Sequence, residues 1–180
     1  MEPTTRWDLL FADLEGQAAA AKRAVQAGEV AELTRAEQAA MPLADRLRAV
    51  IGAVIAVELT CGEAVRGQLK RVAASWLLLD GNGPRGRAEH LIPLAAIATI
   101  SPLSRRAVPS ARAVDTLGLG SVLRGLQRDR SRVVLRTKAG QLAGRLARVG
   151  HDHVDVEDID RTRAITKTVP FTALLSVSQA

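Results

Sequence analysis

The sequence predicts a mainly β protein with a few helices: two small five-stranded β-barrels in tandem, each preceded by a short helix, behind an N-terminal helical arm. Three observations predict this fold class. The chain repeats part of its own sequence, it contains ten short strand-like runs, and each set of five runs follows a short amphipathic helix. The predicted boundaries are residues 1–40 for the arm, 41–102 for the first barrel, 103–116 for a linker and 117–180 for the second barrel.

Blocks of sequence recur in the same order. Residues 67–72 read Gly-Gln-Leu-Lys-Arg-Val, and residues 144–149 read Gly-Arg-Leu-Ala-Arg-Val. At the same offset downstream, residues 92–101 match residues 169–178. Blocks that share one order indicate a single structural unit that has been duplicated.

The N-terminal segment has the pattern of an amphipathic helix. Four apolar residues follow the spacing i, i+3, i+4 and i+7, namely Trp7, Leu10, Phe11 and Leu14. This stripe either packs the helix on the first barrel or binds a partner protein. The sequence leaves both interpretations open.

Each repeat is expected to contain a helix and five strands. The helices are predicted at 43–51 and 117–127. The predicted strands of the first repeat are 55–60, 64–72, 75–80, 90–92 and 97–101, and those of the second are 131–137, 141–149, 153–158, 164–169 and 174–178. The stretch 81–87, rich in glycine and arginine, is expected to be a hairpin loop.

This order of elements, with a glycine in a long bent second strand, resembles the Sm-like family of small SH3-like barrels. Gly67 and Gly144 hold the position of that glycine, where a residue without a Cβ atom tolerates a sharp bend. The resemblance covers about residues 43–101 and 117–178. It implies the barrel fold, RNA as a ligand and a homo-oligomer.

The resemblance has limits at the ligand site. The Asp-x-hydrophobic-Asn and Arg-Gly loops that form the family's RNA pocket are absent here, so the fold carries over and the pocket does not. The opening segment, residues 6–15, also resembles a family of small, largely uncharacterised actinobacterial proteins. Some of them carry regulator-type labels, so a regulatory role is a further expectation.

Composition narrows the possible functions. The net charge is +6 and the sequence pI is about 10.6, which favours a polyanionic partner. Only 2% of the residues are aromatic, so extensive stacking of bases on aromatic rings is excluded. No apolar run is long enough to span a membrane and no signal pattern opens the chain, so we expect a cytoplasmic protein without a membrane partner.

Enzymatic chemistry finds no support in the sequence. Cys61 is the single cysteine, which excludes a disulfide framework. His151 and His153 could face one side of a strand, yet an exposed strand end explains them better than a metal site does. No nucleophile has a credible base beside it. We therefore predict no enzymatic activity, no catalytic residue, no metal and no cofactor.

Basic residues concentrate in the second repeat. A nucleic-acid interface is predicted on five arginines of its helix and following strand, which are Arg124, Arg128, Arg130, Arg132 and Arg136. Such a surface could track a phosphate backbone. The competing interpretation is a solvated face that pairs with the acidic run at 152–160, and the sequence leaves both open.

The predicted function is non-enzymatic binding of nucleic acid with low sequence specificity. RNA is preferred over DNA because of the family resemblance alone. The alternative is a protein-interaction scaffold that engages another protein through the N-terminal helix and the barrel edges.

Overall fold

The computed structural model describes residues 6, 13–17, 20–23, 26, 32, 34–35, 38–83, 86–111, 113–158 and 165–179. The chain divides into two compact units, Met1–Met41 and Pro42–Ala180. The described residues of the first unit are helical up to residue 39. Both sequence repeats lie in the second unit.

The second unit contains two similar sets of elements, here called the first half and the second half. The first half comprises helix α1 (Leu43–Arg48) and strands β1 (Val54–Leu59), β2 (Ala64–Val72), β3 (Trp76–Gly83), β4 (Gly86–Pro93) and β5 (Ile97–Ser101). The second half comprises α2 (Leu119–Arg128), β6 (Arg132–Thr137), β7 (Gly140–Val149), β8 (His153–Asp158), β9 (Ile165–Pro170) and β10 (Leu174–Gln179). Single 3₁₀ turns, Leu94–Ala96 and Phe171–Ala173, precede β5 and β10.

One open antiparallel sheet of ten strands runs through both halves, in the order β5-β1-β2-β3-β4-β10-β6-β7-β8-β9. The mainly β fold with a few helices is confirmed, and the ten strands form this one open sheet, which does not show two separately closed barrels. The halves meet where β4 pairs with β10, with Leu91 opposite Val177 and His90 opposite Ser178. We call this β4–β10 pairing the inter-half joint. It gives β4 and β10 hydrogen-bond partners for backbone groups that would be unpaired if either strand were an edge of the sheet.

The two halves trace equivalent paths. The pairing of β1 with β5 shifts register at Glu58/Leu59, and the equivalent pairing of β6 with β10 shifts at Leu174/Ser176. The β2–β3 ladder shifts at Leu69/Arg71, and the β7–β8 ladder at Leu146/Arg148. Bulges at matching places in both halves support a duplicated unit.

The second-strand glycines sit where neighbouring backbone leaves no room for a side chain. A Cβ atom added to Gly67 would lie 2.5 Å from the carbonyl oxygen of Asp80. One added to Gly144 would meet the carbonyl oxygen of Glu157, which holds the equivalent place on β8. The structure thus agrees with the need for glycine that the sequence predicts at both positions.

The expected loop at 81–87 is the tip of a long β3–β4 hairpin instead. Gly81 pairs with Ala88, and Gly83 pairs with Gly86. A Cβ atom on Gly81 would collide with the backbone carbonyl of Arg66 on β2. This glycine permits close strand packing, which composition alone does not distinguish from a loop.

Each half has its own aliphatic core, and the two cores exchange side chains at the inter-half joint. Leu175 of β10 packs in the core of the first half. Trp76 and Leu91 of the first half pack in the core of the second half. The Trp76 indole Nε1 donates a hydrogen bond to the carbonyl oxygen of Leu117, at 2.8 Å. The joint therefore has apolar contacts as well as backbone pairing.

A half-buried ion network attaches the linker to α1. The side chain of Arg48 is 8% exposed and pairs with Asp45 on the same helix. Its Nε also lies 3.5 Å from a carboxylate oxygen of Asp115, near the end of the linker. The backbone N–H of Val108 donates to the carbonyl oxygen of Asp45 at 2.9 Å. These contacts fix the path by which the chain passes between the halves.

Candidate functional site

The structure divides the five arginines of the predicted interface between two surfaces. Arg132 and Arg136 are half-buried on β6, whereas Arg124, Arg128 and Arg130 are exposed on and just after α2. Residues alternate between faces along a strand. The intervening Val133 and Leu135 point into the core that Leu123 of α2 shares. The β6 arginines consequently lie on the opposite face of the strand from α2.

Arg132 and Arg136 line a groove of about 1040 Å³ that spans the inter-half joint. We call it the inter-half groove. Residues of both halves line it: Ala64, Val65, Arg66, Asp80, Asn82, Gly83, Gly86, Arg87, Ala88, Glu89 and His90 from the first, and Arg132, Val134, Arg136, Gln141, Ala143, Ser176, Ser178 and Gln179 from the second.

Four arginines meet in this groove, and sequence reasoning missed two of them. Arg66 on β2 and Arg87 on β4 are exposed and belong to the first half. They come near Arg132 and Arg136 because β4 pairs with β10, a pairing that no local pattern reveals. The alternation of β2, which puts Val65 in the core, was the one available signal that Arg66 faces outward.

Two of the groove arginines are held by carboxylates. Arg87 donates two hydrogen bonds to Asp80, from Nε at 2.7 Å and from a terminal nitrogen at 2.6 Å. These hydrogen bonds hold the pKa of Asp80 below its ordinary value, although partial burial opposes the effect. Arg136 pairs across the joint with Glu63 of the β1–β2 turn. Both cations are thus oriented at the groove before any ligand arrives.

Further polar groups complete the lining, and the carboxylate of Glu89 is among them. The buried imidazole of His90 is hydrogen-bonded through Nε2 to the carbonyl oxygen of Asn82, at 3.0 Å. Ser176 is buried and Ser178 is half-buried on the β10 side. Hydroxyl, amide and guanidinium groups are the ones that proteins use to contact phosphate and sugar oxygens. Apart from the His90 ring, none of the residues described around the groove is aromatic.

The described part of the acidic run, 152–158, lies on and just before β8, on the far side of β7 from β6. Glu157 is directly opposite Arg145, and Asp155 is opposite Arg148. The hydrogen bond with His153 lowers the pKa of Asp152. The strand register therefore places two β7 arginines beside the acidic run.

The predicted partner-binding stripe is described at one position only. Leu14 is exposed, at 49% of its full accessible area. Trp7, Leu10 and Phe11 lie outside the described residues. Binding of a protein through this stripe stays a prediction.

The described residues give no structural basis for a metal site or a membrane span. Within the ranges given above, no three His, Cys, Asp or Glu side chains come together in a way that could hold a metal ion. Across the same ranges, no helix combines the length and apolarity that crossing a membrane requires. Comparison of the chain with protein-family models and with curated proteins finds no match.

Proposed function

We propose that the protein binds single-stranded nucleic acid with low sequence specificity, through the inter-half groove. The observation that carries the proposal is the convergence of Arg66, Arg87, Arg132 and Arg136 from two halves on one surface. Guanidinium groups bind phosphate oxygens in bidentate geometry, and ordered arginines lose little side-chain freedom on binding.

The chemistry of the groove favours contact with the backbone of the ligand rather than with its bases. Sequence-specific recognition of single strands commonly stacks bases on exposed aromatic side chains. The groove supplies four arginines, amides and hydroxyls instead, with the carboxylates of Asp80 and Glu89 beside them, so phosphate contacts to the arginines would dominate the affinity. The resemblance to Sm-like proteins makes RNA the first ligand to test, with DNA of the same sequence beside it.

Removing two groove cations should weaken RNA binding and flatten its salt dependence. The variant Arg66→Gln/Arg87→Gln changes two exposed side chains, so the fold should persist. Loss of two phosphate contacts should lower affinity about tenfold or more and reduce the slope of log K against log salt by about 1.4. Fluorescence anisotropy with a labelled oligonucleotide of about 20 nucleotides, at several salt concentrations, measures both quantities.

The matched control is Arg124→Gln/Arg128→Gln on α2, which removes the same charge from the exposed helix surface. This control should retain most of the affinity and of the salt slope. If the helix variant loses binding and the groove variant does not, the interface lies on α2 and the proposal is wrong. If the parent chain does not bind the oligonucleotide at low salt, nucleic-acid binding itself is wrong.

A further inference from the structure

The inter-half joint depends on side chains that cross from one half to the other. Trp76 and Leu91 enter the core of the second half, and Leu175 enters the core of the first. All three are at most 4% exposed. Beside them on β4, His90 is 9% exposed opposite Ser178.

The two outer strands of the sheet, β5 and β9, are equivalent to the two strands that form the joint. Strand β9 is the second-half equivalent of β4, and β5 is the first-half equivalent of β10. Repetition of the joint between molecules would therefore pair β9 of one copy with β5 of the next. Such a head-to-tail contact produces either a ring or an open filament.

The joint is only partly repeated at these outer edges, where Ile100 and Ser101 of β5 match Val177 and Ser178 of β10. Four positions differ between the joint and the outer edges: His153 stands in place of Trp76, Thr168 in place of Leu91, Ala98 in place of Leu175 and Lys167 in place of His90. A copy docked at the outer edges would bury little apolar area. It would also cover the Lys167 ammonium, which stands where the joint has the His90 imidazole, and burial of an uncompensated charge is strongly unfavourable.

Overall charge does not account for the difference between the joint and the outer edges. Across the joint, Glu63 of the β1–β2 turn pairs with Arg136 of β6. At the outer edges, the equivalent hairpin carries Lys138, and the position equivalent to Arg136 carries Glu58. These charges would also attract each other.

We propose that these four positions restrict edge pairing to the two halves of one chain, so that each molecule has one joint and one inter-half groove. Apolar side chains favour the correct pair of edges, and Lys167 opposes the alternative pair. A lysine on an exposed edge strand is a known protection against unwanted strand pairing. This inference departs from the edge-joined homo-oligomer that the family resemblance implies.

Grafting the joint residues onto the outer edges should convert the chain into one that assembles. The grafted variant is Ala98→Leu/His153→Trp/Lys167→His/Thr168→Leu. The variant and the parent chain are each prepared separately as an equal mixture of their own ¹⁵N-labelled and unlabelled copies. A zero-length carbodiimide reagent then links carboxylates to amines that touch, and mass spectrometry detects peptides joining Glu58 to Lys138. The parent should give little mixed-isotope Glu58–Lys138 peptide, and the grafted chain about tenfold more.

Mixed-isotope linkage restricts the readout to contacts between copies at these edges, so association through other parts of the chain does not interfere. If the parent chain gives as much of this peptide as the grafted chain, the inference is overturned. If the grafted chain is folded by circular dichroism but gives no such peptide, it is equally overturned. Should the fourfold variant not fold, Lys167→His/Thr168→Leu alters only the exposed β9 edge and should still raise the yield.

Discussion

Replacing Gly144 with alanine should lower the free energy of unfolding by about 3 kcal/mol or more, or prevent folding. The new methyl group would collide with the backbone carbonyl of Glu157, which cannot rotate aside as a flexible side chain can. The β7–β8 ladder would have to separate at this point, next to the Arg145–Glu157 pair. Urea unfolding followed by circular dichroism measures the change.

The control for this prediction is Gly125→Ala on α2. A Cβ atom at Gly125 meets nothing within 4 Å, and alanine is the better helix former. This variant should be as stable as the parent or more stable by about 0.5–1 kcal/mol. Because the halves are equivalent, Gly67→Ala should resemble Gly144→Ala. Unchanged stability in both would show that β2 and β7 do not approach their neighbours as described.

Substitution of Arg48 by methionine should cost about 3–5 kcal/mol of stability. The change keeps the apolar volume but leaves Asp45 and Asp115, with side chains 20% and 13% exposed, without their shared cation. Removal of one partner from a buried ion network leaves an uncompensated charge in a poorly solvated place. Thermal unfolding at neutral pH measures the loss.

The matched control is Arg35→Met, which removes the pair between Arg35 and Glu32. Both of those side chains are at least 70% exposed, so solvent screens the interaction and stability should change by less than about 1 kcal/mol. Equal effects of the two substitutions would contradict a structural role for the Arg48 network. A further check is Arg48→Met/Asp115→Asn, which should recover part of the loss because it removes one of the two stranded charges.

Local patterns predicted most of the individual elements correctly. Strand β8, predicted at 153–158, is observed as His153–Asp158, and β2, predicted at 64–72, as Ala64–Val72. Apolar residues that alternate along a strand show which of its faces is buried, so each strand could be predicted from its own sequence alone. The second-strand glycines were predictable for a similar reason, since the repeat places both in equivalent strands.

Packing of the two repeats edge to edge could be expected because each is small, but the particular strands that join them were not predictable from these patterns. Strand pairing between β4 and β10 depends on residues far apart in the chain, and Trp76 reads as an ordinary core residue of its own half. The division of the arginines follows from the same difficulty. Helix and strand periodicities each orient a side chain on its own element, but only packing shows that α2 covers the face of β6 opposite Arg132.

Hydrogen exchange of the full chain, measured with and without a single-stranded RNA oligonucleotide, gives the most direct test of the interface. Binding in the inter-half groove predicts slower exchange in 86–90 and 132–136 together, because the two segments line one groove from different halves. Slower exchange confined to α2, Leu119–Arg128, would contradict it.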